Sequence, residues 1–139
     1  MCGLNMSSIP YGDGPICVAV VICSDVIEDV RTRNKSLINS FNTITTNQLP
    51  SIQNRICVLI SVTNALGERE FLVTLRDPNG DVVLAVPLPL ASTDPLATHD
   101  LVLELMLVPL NRPGVYSVDI SSDLRHLGSR RFGLEYKPD

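Results

Sequence analysis

The chain has 139 residues and a mass of 15.2 kDa, enough for one domain with a full two-layer core. Hydrophobic residues make up 45% of it, so its composition is not that of a disordered protein. The net charge of −4 and pI near 5.0 argue against nucleic acid or an anionic membrane as a partner. Aromatic residues amount to 4% and Trp is absent, so stacking surfaces for sugars or single-stranded bases are scarce.

The start of the chain differs from the rest. Residues 1–14 contain three Gly and one Pro without periodicity, so we expect a tail or strap there and a single domain over 15–139. The apolar run 16–23 has eight residues, too few to span a membrane. Asp13 precedes that run where a signal peptide would carry positive charge, so we expect a cytoplasmic protein.

Apolar and polar residues alternate over most of the remaining chain, which is the pattern of half-buried strands. In chain order, strands are expected at 16–23, 36–45, 55–63, 69–77, 81–90, 100–108, 114–121 and 130–136. Residues 25–34 predict a turn, residues 47–54 a crossing between sheets, and residues 124–127 a short helical turn. Strands at intervals of about ten residues, with turn signals between them, predict an all-β, immunoglobulin-like antiparallel β-sandwich of seven to nine strands.

Two groups of prolines refine this prediction. In Asp77-Pro78-Asn79-Gly80, Pro78 favours the second turn position and Gly80 a positive φ, which predicts a hairpin. Pro87 and Pro89 stand two apart, so one side of that strand lacks two backbone donors. We therefore expect this strand at a sheet edge, although a strand that ends near Ala85 would give the same residues.

Cys17, Cys23 and Cys57 lie within apolar strands, where a free Cys behaves as a small hydrophobe. Together with Cys2 they show neither zinc spacing nor a C-x-x-C pair. Reduced, buried thiols are expected. The alternative is a disulfide from Cys17 or Cys23 to Cys57, which would require an oxidising compartment.

The most site-like group is the acidic loop after the first strand. Asp25, Glu28 and Asp29 could bind Ca²⁺ with help from Asp77 or Asp81, because carboxylate oxygens are the ligands this ion prefers. No EF-hand spacing accompanies these residues, and a solvated turn would use the same side chains. We therefore predict no cofactor and no established metal site.

The sequence contains few of the residue patterns that are typical of catalytic sites. Ser24, His99 and Asp25 supply the residue types of a triad, but no G-x-S-x-G elbow and no phosphate-binding loop occurs. His99 and His126 lack the framing Cys or carboxylate spacing of a metal site. We expect no enzymatic activity.

Five short motifs carry a resemblance to a family: Ile22–Asp29, Lys35–Phe41, Asp77–Gly80, Arg112–Tyr116 and Leu127–Phe132. In this order they resemble an uncharacterised group of small bacterial proteins, over roughly residues 16–136. The resemblance implies a bacterial, cytoplasmic β-sandwich and brings no activity with it. The chain departs from the group at Arg33-Asn34 and at Asn39-Ser40, where Gly is usual.

Residues 101–108 are apolar on both faces of their strand except at Glu104. A two-layer sandwich buries one face, so Val102, Met106 and Val108 are expected to face a partner, a second copy or the N-terminal strap. The sequence therefore predicts a non-enzymatic interaction or assembly module, with a homo-oligomer or protein partner. The alternative is small-ligand or carbohydrate binding at one loop end, formed by residues 24–34, 77–81 and 109–114.

Overall fold

The computed structural model describes residues 14–139, so the predicted strap lies outside the described residues except for Gly14. Residues 14–139 form nine strands: β1 (Ile16–Glu28), β2 (Lys35–Ser40), β3 (Thr43–Thr46), β4 (Ser51–Thr63), β5 (Gly67–Arg76), β6 (Val82–Ser92), β7 (His99–Leu110), β8 (Gly114–Ser122) and β9 (Arg125–Tyr136).

The strands form two sheets that pack face to face. One has the order β2-β1-β4-β7 and the other the order β3-β9-β8-β5-β6. The pairing is antiparallel except between β3 and β9, which run parallel. The predicted all-β, immunoglobulin-like sandwich is confirmed, with nine strands.

The core between the sheets is mostly aliphatic, as the composition requires. Val58, Ile60 and Val62 of β4 are fully buried and face residues such as Val73 of β5. Aromatic side chains close one part of the core, where Tyr116 stacks on Phe132 at a centroid distance of 5.4 Å. The Tyr116 hydroxyl donates a 2.7 Å hydrogen bond to the Arg112 carbonyl, which ties the start of β8 to the preceding turn.

Residues 36–45 are not one strand, as the sequence predicted, but two strands in different sheets. Asn39 has a φ of 59° and marks the irregular end of β2. The Phe41 N–H still bonds to the Ile22 carbonyl in one sheet, whereas the Asn42 carbonyl accepts from Gly133 in the other. The chain therefore crosses between the sheets at 41–42, and it crosses back in a shorter loop than predicted, before β4 begins at Ser51.

The helical turn expected at 124–127 is wrong. Asp123 and Leu124 have φ values of 53° and 65°, the conformation of a two-residue hairpin turn, and β9 begins directly after them at Arg125. Leu124 is fully exposed there. Asp123 is one of the residues that take these angles, but Leu124 follows it where such turns usually have Gly, so the sequence signal for the turn is incomplete.

β4 and β7 share an irregularity that decides which side chains enter the core. Asn54 and Arg55 are both exposed, and so are Met106 and Leu107 on the neighbouring strand. Leu107 has a φ of 52°. Pairing stays in register on both sides, with Gln53 opposite Val108, because each strand has one additional residue at the same level. The alternation of inward and outward residues is thus reset in both strands together.

The edge prediction for the proline-containing strand is confirmed. β6 forms one edge of the five-stranded sheet, with Pro87 opposite Leu72 and Pro89 opposite Glu70 on β5. Both prolines are exposed. The strand continues through them to Ser92, so it does not end near Ala85.

The hairpin turn at 77–80 yields a stability prediction. Gly80 has a φ of 87°, and no atom lies within 4 Å of the position that a Cβ would occupy, so the site restricts backbone conformation and not side-chain space. We expect Gly80→Val to lower the free energy of unfolding by about 1–3 kcal/mol, because a β-branched residue is strained at positive φ. Gly80→Asn is the matched control, since Asn tolerates this conformation better. Denaturant unfolding that gave both variants the same stability would contradict the assigned turn.

Candidate functional site

The outer face of the four-stranded sheet holds two of the three predicted interface residues. Strand register places Val21, Leu59 and Val102 in one row across β1, β4 and β7, and all three are half-buried. Ile38 and Met106 also face outward, with 43% and 59% of their surfaces exposed, but they lie two rows away, in the row of Asp25 and Arg55. We call this surface, defined by these five residues, the apolar face.

The third predicted interface residue, Val108, does not belong to this surface. It is fully buried in the core, so its assignment to the interface is wrong. The reset alternation at Leu107 turns Val108 inward, and it leaves Leu107 itself 66% exposed instead. The prediction assumed strict alternation along residues 101–108, and it is wrong for Val108 because the strand is irregular at Leu107.

A charged bridge crosses the apolar face between the row of Val21, Leu59 and Val102 and the exposed Ile38 and Met106. The Arg55 guanidinium lies 2.9 Å from an Asp25 oxygen and 3.0 Å from a Glu104 oxygen, so it joins β1, β4 and β7. All three side chains remain about half exposed, which limits each pair to roughly 0.2–1 kcal/mol. On the opposite side of the row formed by Val21, Leu59 and Val102, the Ser61 hydroxyl contacts the Asp100 carboxylate. The bridge orients the polar border more than it stabilises the fold.

Two thiols lie beneath this bridge. Cys23 and Cys57 are direct partners in the β1–β4 ladder, and both are fully buried. Burial raises the pKa of each thiol, and the neighbouring Asp25 carboxylate raises both further. Cys17, Cys23 and Cys57 are free in the structure.

The carboxylates suggested for Ca²⁺ are held by separate local contacts. Asp25 pairs with Arg55, whereas Glu28 contacts Arg33 and Lys35, and these cations lower the pKa of Glu28. Asp29 accepts hydrogen bonds from the backbone of its own turn at Arg31 and Thr32, and Asp77 does the same at Asn79 and Asp81. Within residues 14–139, no group of three or more His, Cys, Asp or Glu side chains is arranged to hold a metal ion.

The loop end suggested for a ligand is assembled only in part. The turns 77–81 and 109–114 touch, because Pro78 packs against Gly114 and the Arg112 guanidinium lies 3.9 Å from Asp77. The turn after β1 is closed on itself by hydrogen bonds between Asp29 and residues 33–34. We therefore find two of the three predicted loops in contact.

The three residues considered for a triad lie apart. His99 pairs with Val62 at one end of the sheet, whereas Asp25 lies beside Arg55 toward the other end. The His99 Nε2 atom is 2.9 Å from the Ser92 hydroxyl, and Ser24 instead accepts a hydrogen bond from Asn39. Ser92 also bonds to the Asp94 backbone, so this contact ties β6, β7 and their loop together.

Sequence reasoning missed a polar cleft where the chain crosses between the sheets. It has a volume of about 300 Å³ and is lined by Ser24, Asn39, Phe41, Thr43, Ile44, Gln53 and Arg55. The positive φ of Asn39 and the exposed Arg55 of the β4 irregularity shape its walls. The sequence carried one signal for this cleft, because Asn39-Ser40 stand where Gly is usual in the family that the chain resembles.

Comparison with models of protein families shows which family the chain belongs to. The model of a family of unknown function, DUF6941, matches residues 18–135. The chain belongs to this family. None of the curated proteins matches it. The five motifs predicted an uncharacterised family of small β-sandwich proteins. This prediction is confirmed, because DUF6941 is a family of unknown function and the chain folds as a small all-β domain.

Solved structures similar to this DUF6941 chain have varied functions. An immunoglobulin-like protein from Pseudomonas aeruginosa is 12% identical, with a TM-score of 0.45 over 87% of this chain and 96% of that one. The alkylpurine DNA glycosylase AlkC from Pseudomonas fluorescens is 16% identical, with a TM-score of 0.46, and matches 68% of this chain and 27% of its own. A Bifidobacterium dentium β-glucuronidase is 14% identical, with a TM-score of 0.43, and the match covers 88% of this chain and 17% of that one.

These likenesses concern the sandwich and do not bear on activity. The chain spans about a quarter or less of the glycosylase and the glucuronidase. Residues 14–139 contain no helix that is long and apolar enough to cross a membrane.

The buried thiols give a chemical prediction. We expect denatured protein to show all four thiols of the sequence, whereas Cys17, Cys23 and Cys57 react slowly in the native state, because burial keeps them protonated and shielded. Titration with a thiol reagent, with and without denaturant, measures both quantities. Fewer than four thiols in freshly purified, denatured protein would reveal a disulfide and contradict the reduced state.

Proposed function

We propose that this protein is a non-enzymatic interaction or assembly module of the bacterial cytoplasm, and that it forms a homo-oligomer through the apolar face. The observation that carries the proposal is the row of Val21, Leu59 and Val102 on the outer side of a sheet, together with the exposed Ile38 and Met106 two rows away on the same side. Apolar side chains gathered on an outward surface are typical of protein interfaces.

The border of the face supports the same function. The bridge from Asp25 through Arg55 to Glu104 and the Ser61–Asp100 contact lie on either side of the apolar row. An apolar centre with a polar, partly exposed rim is the usual anatomy of an interface between folded proteins. Because a twofold dimer uses the same patch on both copies, one such face is sufficient for self-association.

The oligomeric state tests this proposal. We expect the parent protein to sediment as a dimer or larger species, and Met106→Asp to raise its dissociation constant by at least about tenfold, because association would bury the new charge. Circular dichroism should show an intact fold for Met106→Asp. Val108→Asp is the matched control, since the same charge two residues away lies in the core and should unfold the protein.

A parent protein that remains monomeric at high concentration would contradict self-association. A dimer that Met106→Asp leaves unchanged would show that a different surface is used. Val102→Asp, in the half-buried row, should weaken the dimer as Met106→Asp does, and a dimer that neither variant weakened would contradict the assignment to this face.

Small-ligand binding is the second candidate function, and the polar cleft at the crossing favours it. Its lining combines the hydroxyl and amide groups of Ser24, Asn39, Thr43 and Gln53, and the charge of Arg55 is already paired with Asp25 and Glu104. Such a lining suits a small, uncharged, hydroxylated molecule, and a volume of about 300 Å³ is at the lower end for ligand pockets.

A thermal-shift screen with neutral sugars and polyols tests this second function. We expect a binding compound to raise the melting temperature of the parent but not of Gln53→Ala, which removes an amide from the cleft. Gln48→Ala, at an exposed position outside the cleft, is the control and should respond as the parent does. A compound that stabilises all three proteins equally would bind elsewhere.

A further inference from the structure

β7 forms an edge of the four-stranded sheet, and a long run of its backbone has no neighbouring strand on the side away from β4. It pairs with β4, and no other strand in residues 14–139 pairs with it. Its first eight residues, 99–106, contain no Pro and precede the positive φ at Leu107. Because backbone donors and acceptors alternate between the two sides of a strand, about half of those in this run point away from β4.

The three other sheet edges in the described part of the chain have features that hinder the addition of a further strand. β6 carries Pro87 and Pro89, β3 has four residues, and β2 has six with an irregular Asn39 near its end. Prolines, short length and local irregularity are the usual means of preventing strand addition. β7, with twelve residues, has none of these before Leu107.

The side chains along β7 define which strand would fit beside it. On the inner side, Leu101 and Leu103 are half-buried against the core, so an added strand would need apolar residues there. On the outer side stand Asp100 and Glu104, both exposed. Since Arg55 is shared between Glu104 and Asp25, carboxylates outnumber cations beside this edge, and basic residues would fit opposite them.

We propose that β7 binds an extended segment of another protein by strand addition, and that this segment alternates apolar and basic side chains. A second copy of β7 fits poorly, because twofold antiparallel pairing would set Asp100 and Glu104 opposite or diagonal to the same carboxylates. The inference goes beyond self-association through the apolar face, since it uses the edge of the sheet and holds for a monomer or a dimer.

The test uses a fluorescent octapeptide of alternating Lys and Val, titrated into the full chain at moderate salt and followed by anisotropy. We expect saturable binding, with affinity reduced about tenfold by Glu104→Lys and less by Asp100→Asn. Glu135→Lys, which changes an exposed charge on β9 in the other sheet, is the matched control and should bind as the parent does. Amide exchange should slow at alternate residues of 99–106 and remain unchanged in β6.

Two further peptides separate strand addition from general charge attraction. A Glu–Val octapeptide should not bind, and a Lys–Val peptide with two Val replaced by Pro should bind about tenfold more weakly, since it cannot complete the backbone ladder. Equal affinity for the two basic peptides, unchanged exchange in β7, or no binding at about 1 mM peptide would each overturn the proposal. A monomeric parent that still binds the Lys–Val peptide would contradict only the proposed self-association.

Discussion

The paired irregularity in β4 and β7 is the constraint on which the surface of this protein depends. Each strand carries one additional residue at the same level, around Asn54 and Leu107. The two strands therefore keep their pairing register, but the alternation of inward and outward side chains shifts by one residue in both. Without it, Val108 would point outward and Leu107 inward. The reset turns Val108 and Leu110 of β7 toward the core, opposite Gln53 and Ser51 of β4, and Arg55 lies next to it on the outer side.

From that position Arg55 organises the outer face. It joins carboxylates from the strands on both of its sides, and the bridge lies beside the buried Cys23–Cys57 pair. Because the bridge is partly exposed, its contribution to stability is small, and its main effect is to place charges next to the row of Val21, Leu59 and Val102. The same carboxylate, Glu104, stands beside the edge of β7, so the bridge connects the face to the edge.

The crossing of the chain between the two sheets at residues 41–42 shapes the surface at the opposite edge of the sandwich. β2 ends and β3 begins within three residues, and the backbone of Phe41 and Asn42 bonds to different sheets. Phe41 packs edge-on to Phe132 at a centroid distance of 6.1 Å, so the scarce aromatic residues are used to anchor the turn from one layer to the other. The polar cleft opens where this crossing separates the two layers.

The sequence by itself determined the fold class, most strand positions, the 77–80 hairpin and the edge location of the proline-containing strand. These follow from local rules: alternation reports half-burial, and Pro and Gly restrict backbone angles in every context. The tertiary structure alone decided where alternation is reset, that residues 36–45 divide between two sheets, and which carboxylates meet Arg55. Asp25, Arg55 and Glu104 are far apart in sequence, and their contact arises from strand register. The positive φ values of Leu107 and Leu124 are likewise imposed by neighbouring strands and turns, against the preference of leucine, and no local pattern announces them.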